Sequence, residues 1–224
     1  MPDDKRETMI PPSPSAEAYR IDEDQGDVFN ADDPFVLFAD WLTLAGKHEA
    51  NDPNSMALGT VDASGAPDVR IVLLKDINGG GLSFYTNTQS AKGEQLAANP
   101  VAALAFHWKS IRRQVRFRGP VEMVTPEEAD AYFATRARGA QIGAWASDQS
   151  RVMPDGEGAL PKNVARREEA FGDGEIPRPD HWSGYRLIPN QIEFWVNRPF
   201  RLHDRLLFER ERADAPWTKS RLFP

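Results

Sequence analysis

The sequence predicts a mainly β fold, an antiparallel barrel with helical insertions. Three observations carry this. Short stretches rich in β-branched and aromatic residues recur at close spacing, from "SMALGTV" to the terminal "WTKSRLFP". Turn-forming clusters such as "DASGAPD" and "DINGGG" separate them. Helical periodicity is confined to a few segments and does not alternate with every strand, as a parallel sheet would require.

The chain opens with "MPDDKRETMIPPSPSAEAYR", charged and proline-rich, and Met1 to Asp33 reads as a flexible or partner-draped arm before a domain over 34–224. The first helix lies in "DPFVLFADWLTLAGKHEA", with Phe35, Phe38, Trp41, Leu42 and Ala45 at helical spacing. Asp33 is its N-cap and Pro34 its first residue, where a missing N–H costs nothing. "SMALGTV" is the first strand, "VRIVLLK" the second, "DINGGG" a hairpin loop and "LSFYTN" the third. "SAKGEQLAANP" is a short helix stopped by Pro100. "VAALAFHW" and "RQVRFRGPVEMV" are the next strands, the latter alternating polar and apolar through Gln114, Val115, Arg116, Phe117 and Arg118. "TPEEADAYFATR" is the clearest helix, with Thr125 as cap, Pro126 in the first turn and Glu128 completing a capping box. Residues 151–180 are rich in Gly, Pro and charge, with a short helical piece near Val164 to Phe171. "GYRLIP", "QIEFWV", "RLHDRLLFERE" and "WTKSRLFP" return to strands.

Composition narrows the function. With 224 residues, 40% hydrophobic and 27% charged, the chain is long enough to bury a core and ordinary for a soluble globular protein. A net charge of −7 argues against general nucleic-acid binding, because a phosphate backbone repels an acidic chain. There is no cysteine, which excludes disulfides, thiolate nucleophiles and thiolate metal sites and suits a reducing cytoplasm. His48, His107, His181 and His203 show no paired metal-ligand spacing, so no metal is expected. No apolar run approaches the roughly 18 residues of a membrane span.

Four constellations stand out. Arg70 and Lys75 bracket the apolar "RIVLLK", yet five residues apart they face opposite sides of an ideal strand. Both can line one pocket only at a bulge or a strand end; otherwise they are strand-end charges in water. "HWKSIRRQVRFR" is either a basic-aromatic surface for single-stranded nucleic acid or a solvated sheet face, and the acidic total favours the latter. Tyr132 and Arg136 share a helix face at i,i+4, as a phosphate grip or a surface stacking pair. In "RLHDR", Arg201, His203 and Arg205 alternate on one strand face while Leu202 and Asp204 take the other. Two arginines beside a histidine repel unless an anion, or acids from elsewhere, join them.

In their order and spacing, "RIVLLK", "FYTN", "KGEQLAANP", "RRQVRFRG", "YFATR", "QIGAWASDQS", "IPRPDHWSGYRL", "IEFW", "RLHDR" and "RLFP" make the chain from Asp33 onward resemble the pyridoxamine 5′-phosphate oxidase family. The resemblance implies an FMN-binding split β-barrel, a homodimer with FMN at the subunit interface. It implies oxidation of pyridoxamine or pyridoxine 5′-phosphate to pyridoxal 5′-phosphate, with O2 as acceptor and H2O2 as product. It places Arg70, Ile71, Val72, Leu73, Leu74 and Lys75 along FMN, with Lys75 also reaching the substrate. Tyr85, Thr86, Lys92, Gln114, Gln149, Ser150, Trp195 and Arg205 match further FMN contacts. Tyr132 and Arg136 match residues that grip the substrate phosphate, and Arg201, Leu202 and His203 match substrate contacts, Arg201 and His203 over the ring and catalytic. Two positions depart from the pattern: Ala91 replaces the arginine of a usual Ser-Arg-Lys, and Ala140 replaces a serine of the substrate-phosphate loop. The alternatives are a different FMN-binding oxidoreductase on the same barrel and a non-catalytic pyridoxal-phosphate or nucleic-acid binding protein.

Overall fold

The computed structural model describes residues 26–78, 80–153 and 156–224. Every strand pairing is antiparallel, and the strands form one sheet that curls into a half-barrel. In chain order the strands are β1 (Ser55–Val61), β2 (Pro67–Leu73), β3 (Asp76–Asn78), β4 (Gly81–Asn87), β5 (Val101–Trp108), β6 (Arg113–Met123), β7 (Trp182–Leu187), β8 (Gln191–Val196), β9 (Asp204–Glu209) and β10 (Thr218–Leu222). The main path runs β10-β9-β8-β6-β5-β1-β2, which leaves β2 at an edge. The long β6 makes the curl: its first half pairs with β8, and Val121–Met123 turn away to pair with β7, which in turn holds β4.

The two faces of this sheet differ in kind. On the inner face Leu58, Leu104, Phe117, Ile192 and Phe208 are register partners in sequence across five strands, and all are buried. Helix α1 (Pro34–His48) closes over them, with Phe38 against Phe117 at 4.8 Å and Phe106 at 5.0 Å between ring centroids. Asp33 caps α1 by accepting from the N–H groups of Phe35 and Val36, and Pro34 sits in the first turn, as the sequence requires. Leu37, not anticipated, is fully buried, while Phe35 and Leu42 are only partly so.

The remaining helices are α2 (Ala91–Ala98), α3 (Pro126–Ala134), α4 (Arg138–Ala146) and α5 (Ala159–Phe171). The Thr125–Glu128 capping box of α3 is present with both of its hydrogen bonds. A second, smaller core forms under α3–α5, where Phe133, Ile142, Ile176 and Trp182 are buried together.

Several expectations need correction. Most of the expected N-terminal arm, residues 1–25, lies outside the described residues, but Val28 and Phe29 are buried in the main core, so the folded domain starts before Pro34. Phe29 stacks on Trp41 at 5.9 Å. "DINGGG" is not all loop: Asp76–Asn78 pair with β4 to form a tight hairpin. Helix α4 was not foreseen, since Gly139 and Gly143 weaken its helical signal and Ala137 offers no side-chain cap. Helix α5 begins at Ala159 rather than near Val164. "RLHDR" does not lie wholly in a strand, because Pro199–Arg201 form a 3-10 turn and β9 starts only at Asp204.

Candidate functional site

A cavity of about 700 Å3 opens where the edge strand β2 meets β4, α2 and α3. The break between β2 and β3 builds it. Strand β2 ends at Leu73 and the chain turns at Leu74–Lys75, so Arg70 and Lys75 escape strand alternation and line the same cavity. Ile71, Val72 and Leu73 line it between them. Leu74 does not: its side chain is buried in the main core. Tyr85 and Thr86 of β4, Lys92 of α2, Tyr132 and Arg136 of α3, and Gln149 and Ser150 after α4 complete the expected lining. Ala91 also faces the cavity, whereas Ala140 lies exposed in the first turn of α4, outside the lining.

Electrostatics give this cavity its character. Lys92 is buried, and its Nζ donates to three uncharged oxygens: Gln149 Oε1 at 3.0 Å, Thr86 Oγ1 at 3.2 Å and Ser90 Oγ at 3.3 Å. Close packing holds it there, since a Cβ on the next residue, Gly93, would lie 2.1 Å from the Thr88 carbonyl oxygen. Burial first, and then the neighbouring Arg70, push the Lys92 pKa down; Asp68 pulls the other way but is engaged by Arg70 and Gln95. Arg70 itself is held in the protein by Leu58 O, Thr60 Oγ1 and Gln95 Oε1. A buried ammonium with only neutral partners is costly and is relieved by an anion.

Arg136, half-buried, supplies a second cation. Its guanidinium lies over the Trp182 ring at 4.8 Å, and its buried Nη1 has no hydrogen-bond partner. Trp182 continues a stack with Tyr85 at 5.4 Å, and Tyr85 stacks on Tyr132 at 4.0 Å. Gly184 permits this wall, because a Cβ there would lie 2.7 Å from the Tyr85 ring. Lys92 and Arg136 are therefore two anion-seeking groups in one cavity, with an aromatic wall beside the second. No local sequence signal marks Trp182, which carries Arg136, because its stacking partners are remote in sequence.

The other expected residues gather elsewhere. Gln114, Trp195 and Arg205 are register partners on β6, β8 and β9 and share the outer sheet face. The His203 ring packs on Trp195 at 4.5 Å between centroids. Its Nδ1 accepts from the backbone N–H of Arg198 at 3.2 Å, so neutral His203 carries its proton on Nε2 and presents a donor there. Burial, then Arg201, lower the His203 pKa. Arg201 and Leu202 are exposed, and Phe200 and Arg201 have φ of 58° and 62°, the left-handed region. Arg205 does not face His203 as a free cation, for its Nε donates to Glu193 Oε1 at 2.9 Å. None of Gln114, Trp195, Arg201, Leu202, His203 or Arg205 lines the cavity. The expected site residues thus fall in two separate groups within one chain.

Comparison with known proteins gives the chain's family. Residues 44–162 match the family model described as pyridoxamine 5′-phosphate oxidase, and residues 182–224 match the pyridoxine 5′-phosphate oxidase C-terminal dimerisation region, which supports a homodimer. The chain is 58% identical to the pyridoxine/pyridoxamine 5′-phosphate oxidase of Maricaulis maris, with 100% of both chains covered. It is 60% identical to the protein of the same name from Caulobacter vibrioides, covering 97% of this chain and 98% of the relative. Among solved structures it is similar to PhzG from Burkholderia lata, in complex with tetrahydrophenazine-1-carboxylic acid, with TM-score 0.81, 28% identity, and 88% and 95% of the two chains covered. An FMN-binding protein from Nostoc punctiforme related to pyridoxamine 5′-phosphate oxidase shares the fold at TM-score 0.71 and 18% identity, over 86% and 98% of the chains. With both family regions in sequence order and near-identical length to its relatives, the chain belongs to the pyridoxamine 5′-phosphate oxidase family of oxidoreductases.

Proposed function

We propose that the chain oxidises pyridoxamine or pyridoxine 5′-phosphate to pyridoxal 5′-phosphate, with FMN as cofactor and O2 as acceptor. The observation that carries this reading is the pair of cations in one cavity, buried Lys92 without a carboxylate partner and half-buried Arg136 with an orphaned Nη1. Two phosphorylated molecules, cofactor and substrate, satisfy two such groups. Lys92 with Thr86, Gln149 and Ser150 holds the FMN phosphate, and Arg136 with Tyr132 holds that of the substrate. Arg70, Ile71, Val72, Leu73 and Lys75 border the flavin, with Lys75 at the substrate end. Bound FMN supplies the two-electron acceptor that passes electrons to O2, giving H2O2.

The catalytic pair comes from the partner subunit's copy of the second half-site. An isologous dimer docks the outer sheet face on itself. That face is suited to close approach: Ile71, Ala57, Ala105, Arg116 and Glu193 are register partners across adjacent strands, and small side chains occupy β1 and β5. Ile71 and Val69 are 65% and 66% exposed in the single chain and become covered. A groove of about 950 Å3 over Gly59, Ala103 and Gly119 receives the partner surface. Docking sets Gln114, Trp195 and Arg205 against the flavin, and His203 and Arg201 over the substrate ring. His203, neutral with its proton on Nε2, orients the substrate and manages the proton at the leaving amine or alcohol.

Aerobic incubation of the FMN-loaded protein with pyridoxamine 5′-phosphate tests this. Equal amounts of pyridoxal 5′-phosphate and peroxide are expected; no product from fully loaded protein rejects the activity, and a protein that takes up no FMN rejects the cofactor. Ala91 gives a further prediction, because it faces the cavity beside Lys92. Ala91→Arg adds a hydrogen bond to a charged group, about 1.5–3 kcal/mol, so FMN binds on the order of tenfold tighter. Titration of the apoprotein reads this directly, and unchanged affinity means that position 91 does not reach the phosphate.

A further inference from the structure

Arg205 is clamped at two of its nitrogens. Nε donates to Glu193 Oε1 at 2.9 Å, and Nη1 donates to the Phe223 carbonyl oxygen, also at 2.9 Å. With the planar fork fixed at these two points, the Nη2 edge is left for a ligand. Glu193 is itself the centre of a triad, because its other oxygen bonds Arg116. The Glu193 side chain is 8% exposed and that of Arg116 is 46% exposed. Burial alone raises the Glu193 pKa, but the hydrogen bonds and charges of Arg205 and Arg116 outweigh it, so the carboxyl is held below its ordinary value and stays ionised. The triad therefore carries two guanidinium charges and one carboxylate, a net +1. Glu193 also stands two residues before Trp195 on the same face of β8.

We propose that Glu193 is a positioning residue that aims Arg205 and sets its effective charge, and thereby tunes the reduction potential of the bound flavin. This rests on the FMN reading above. A cation beside the flavin favours the reduced, more negative form, and a carboxylate shared with that cation attenuates the effect. Removing the carboxylate and removing the outer arginine thus change the local charge in opposite directions, which loss of packing does not.

The experiment measures the two-electron potential of FMN bound to the dimeric protein by dye equilibration, in wild type, Glu193→Gln and Arg116→Gln, with FMN affinity measured alongside. Glu193→Gln is expected to shift the flavin equilibrium about tenfold toward reduction, ~30 mV upward for a two-electron couple, and to weaken FMN several-fold as Arg205 loses its aim. Arg116→Gln is expected to shift the potential downward by less, because Arg116 acts on the flavin only through the Glu193 carboxylate it shares with Arg205. Potentials equal to wild type in both variants, or shifts of the same sign, overturn the proposal while leaving FMN as cofactor. A wild-type chain that binds no FMN overturns the cofactor reading and this inference with it. Should Glu193→Gln fail to fold, Arg116→Gln must still lower the potential for the proposal to stand.

Discussion

Lys92→Met is expected to weaken FMN binding by roughly 10- to 100-fold and, at the same time, to stabilise the apoprotein. The two effects share one cause. In the apoprotein the ammonium is buried among neutral oxygens, and the desolvation of a charge is not repaid by neutral hydrogen bonds. Methionine fills similar volume without that cost. The oxygens it abandons are not orphaned: Thr86 Oγ1 still donates to Gln149 Oε1 at 3.1 Å, and Ser90 Oγ still donates to Asn87 O at 2.6 Å. In the complex the same charge meets a phosphate, where each hydrogen bond contributes about 1.5–3 kcal/mol. The pH dependence follows from the direction of the Lys92 shift. Its folded pKa lies below the ordinary 10.5, so in the window beneath that value the unfolded chain binds more protons. Apoprotein stability therefore rises as pH climbs through that window, and Lys92→Met removes this rise. Thermal unfolding of apo and FMN-loaded forms across pH measures both. A variant less stable as apoprotein, with unchanged FMN affinity, would show Lys92 to be a structural strut.

His203→Asn is expected to lower kcat/KM by on the order of 10²- to 10⁴-fold, the range for a positioned acid or base, with FMN affinity unaltered. Asparagine is the informative replacement because its side-chain oxygen can accept from the Arg198 N–H that now bonds Nδ1. Burial and Arg201 hold the wild-type pKa below 6.5, so the imidazole is neutral at pH 7 and protonates only in acid. Wild-type kcat/KM therefore falls as pH drops through a value below 6.5, and the variant lacks that limb. An unchanged rate and pH profile would remove His203 from the chemistry.

Much of the fold was legible because local chemistry and global structure agree. The Asp33–Pro34 start of α1 and the Thr125–Glu128 box of α3 are capping signals that act within a few residues. The strands that alternate cleanly, such as Arg113–Arg118, have one face in the core and one outside. Misreadings arose where tertiary contacts decide. Pro199, which lacks an N–H, leads a tight turn through left-handed Phe200 and Arg201, so the alternation read in "RLHDR" begins only at Asp204. Val28 and Phe29 look like part of a polar arm until Trp41, far along α1, gives them a surface.

Most of the cavity lining was anticipated through family resemblance, not through spacing. Arg70 and Lys75 face one cavity because β2 stops at Leu73, a feature that periodicity alone leaves open. Leu74, in the same run, turns into the core. The separation of Lys92 from Arg205 and His203 was invisible in one dimension, and so was the support given to Arg136 by Trp182. Neither half-site contains both a phosphate grip and the histidine, which makes assembly from two chains the central claim.

Mixing two inactive variants tests that claim most directly. At an FMN concentration that loads wild type but not Lys92→Met, that variant leaves one half-site empty and His203→Asn disables the other, so neither homodimer has a working centre. When the two are unfolded and refolded together with FMN, each mixed dimer regains one centre built only from wild-type half-sites. Random pairing then restores about one quarter of wild-type oxidase activity. Recovery near that level is the result predicted. No recovery from mixtures shown to contain mixed dimers would contradict it, and would place both half-sites within a single chain.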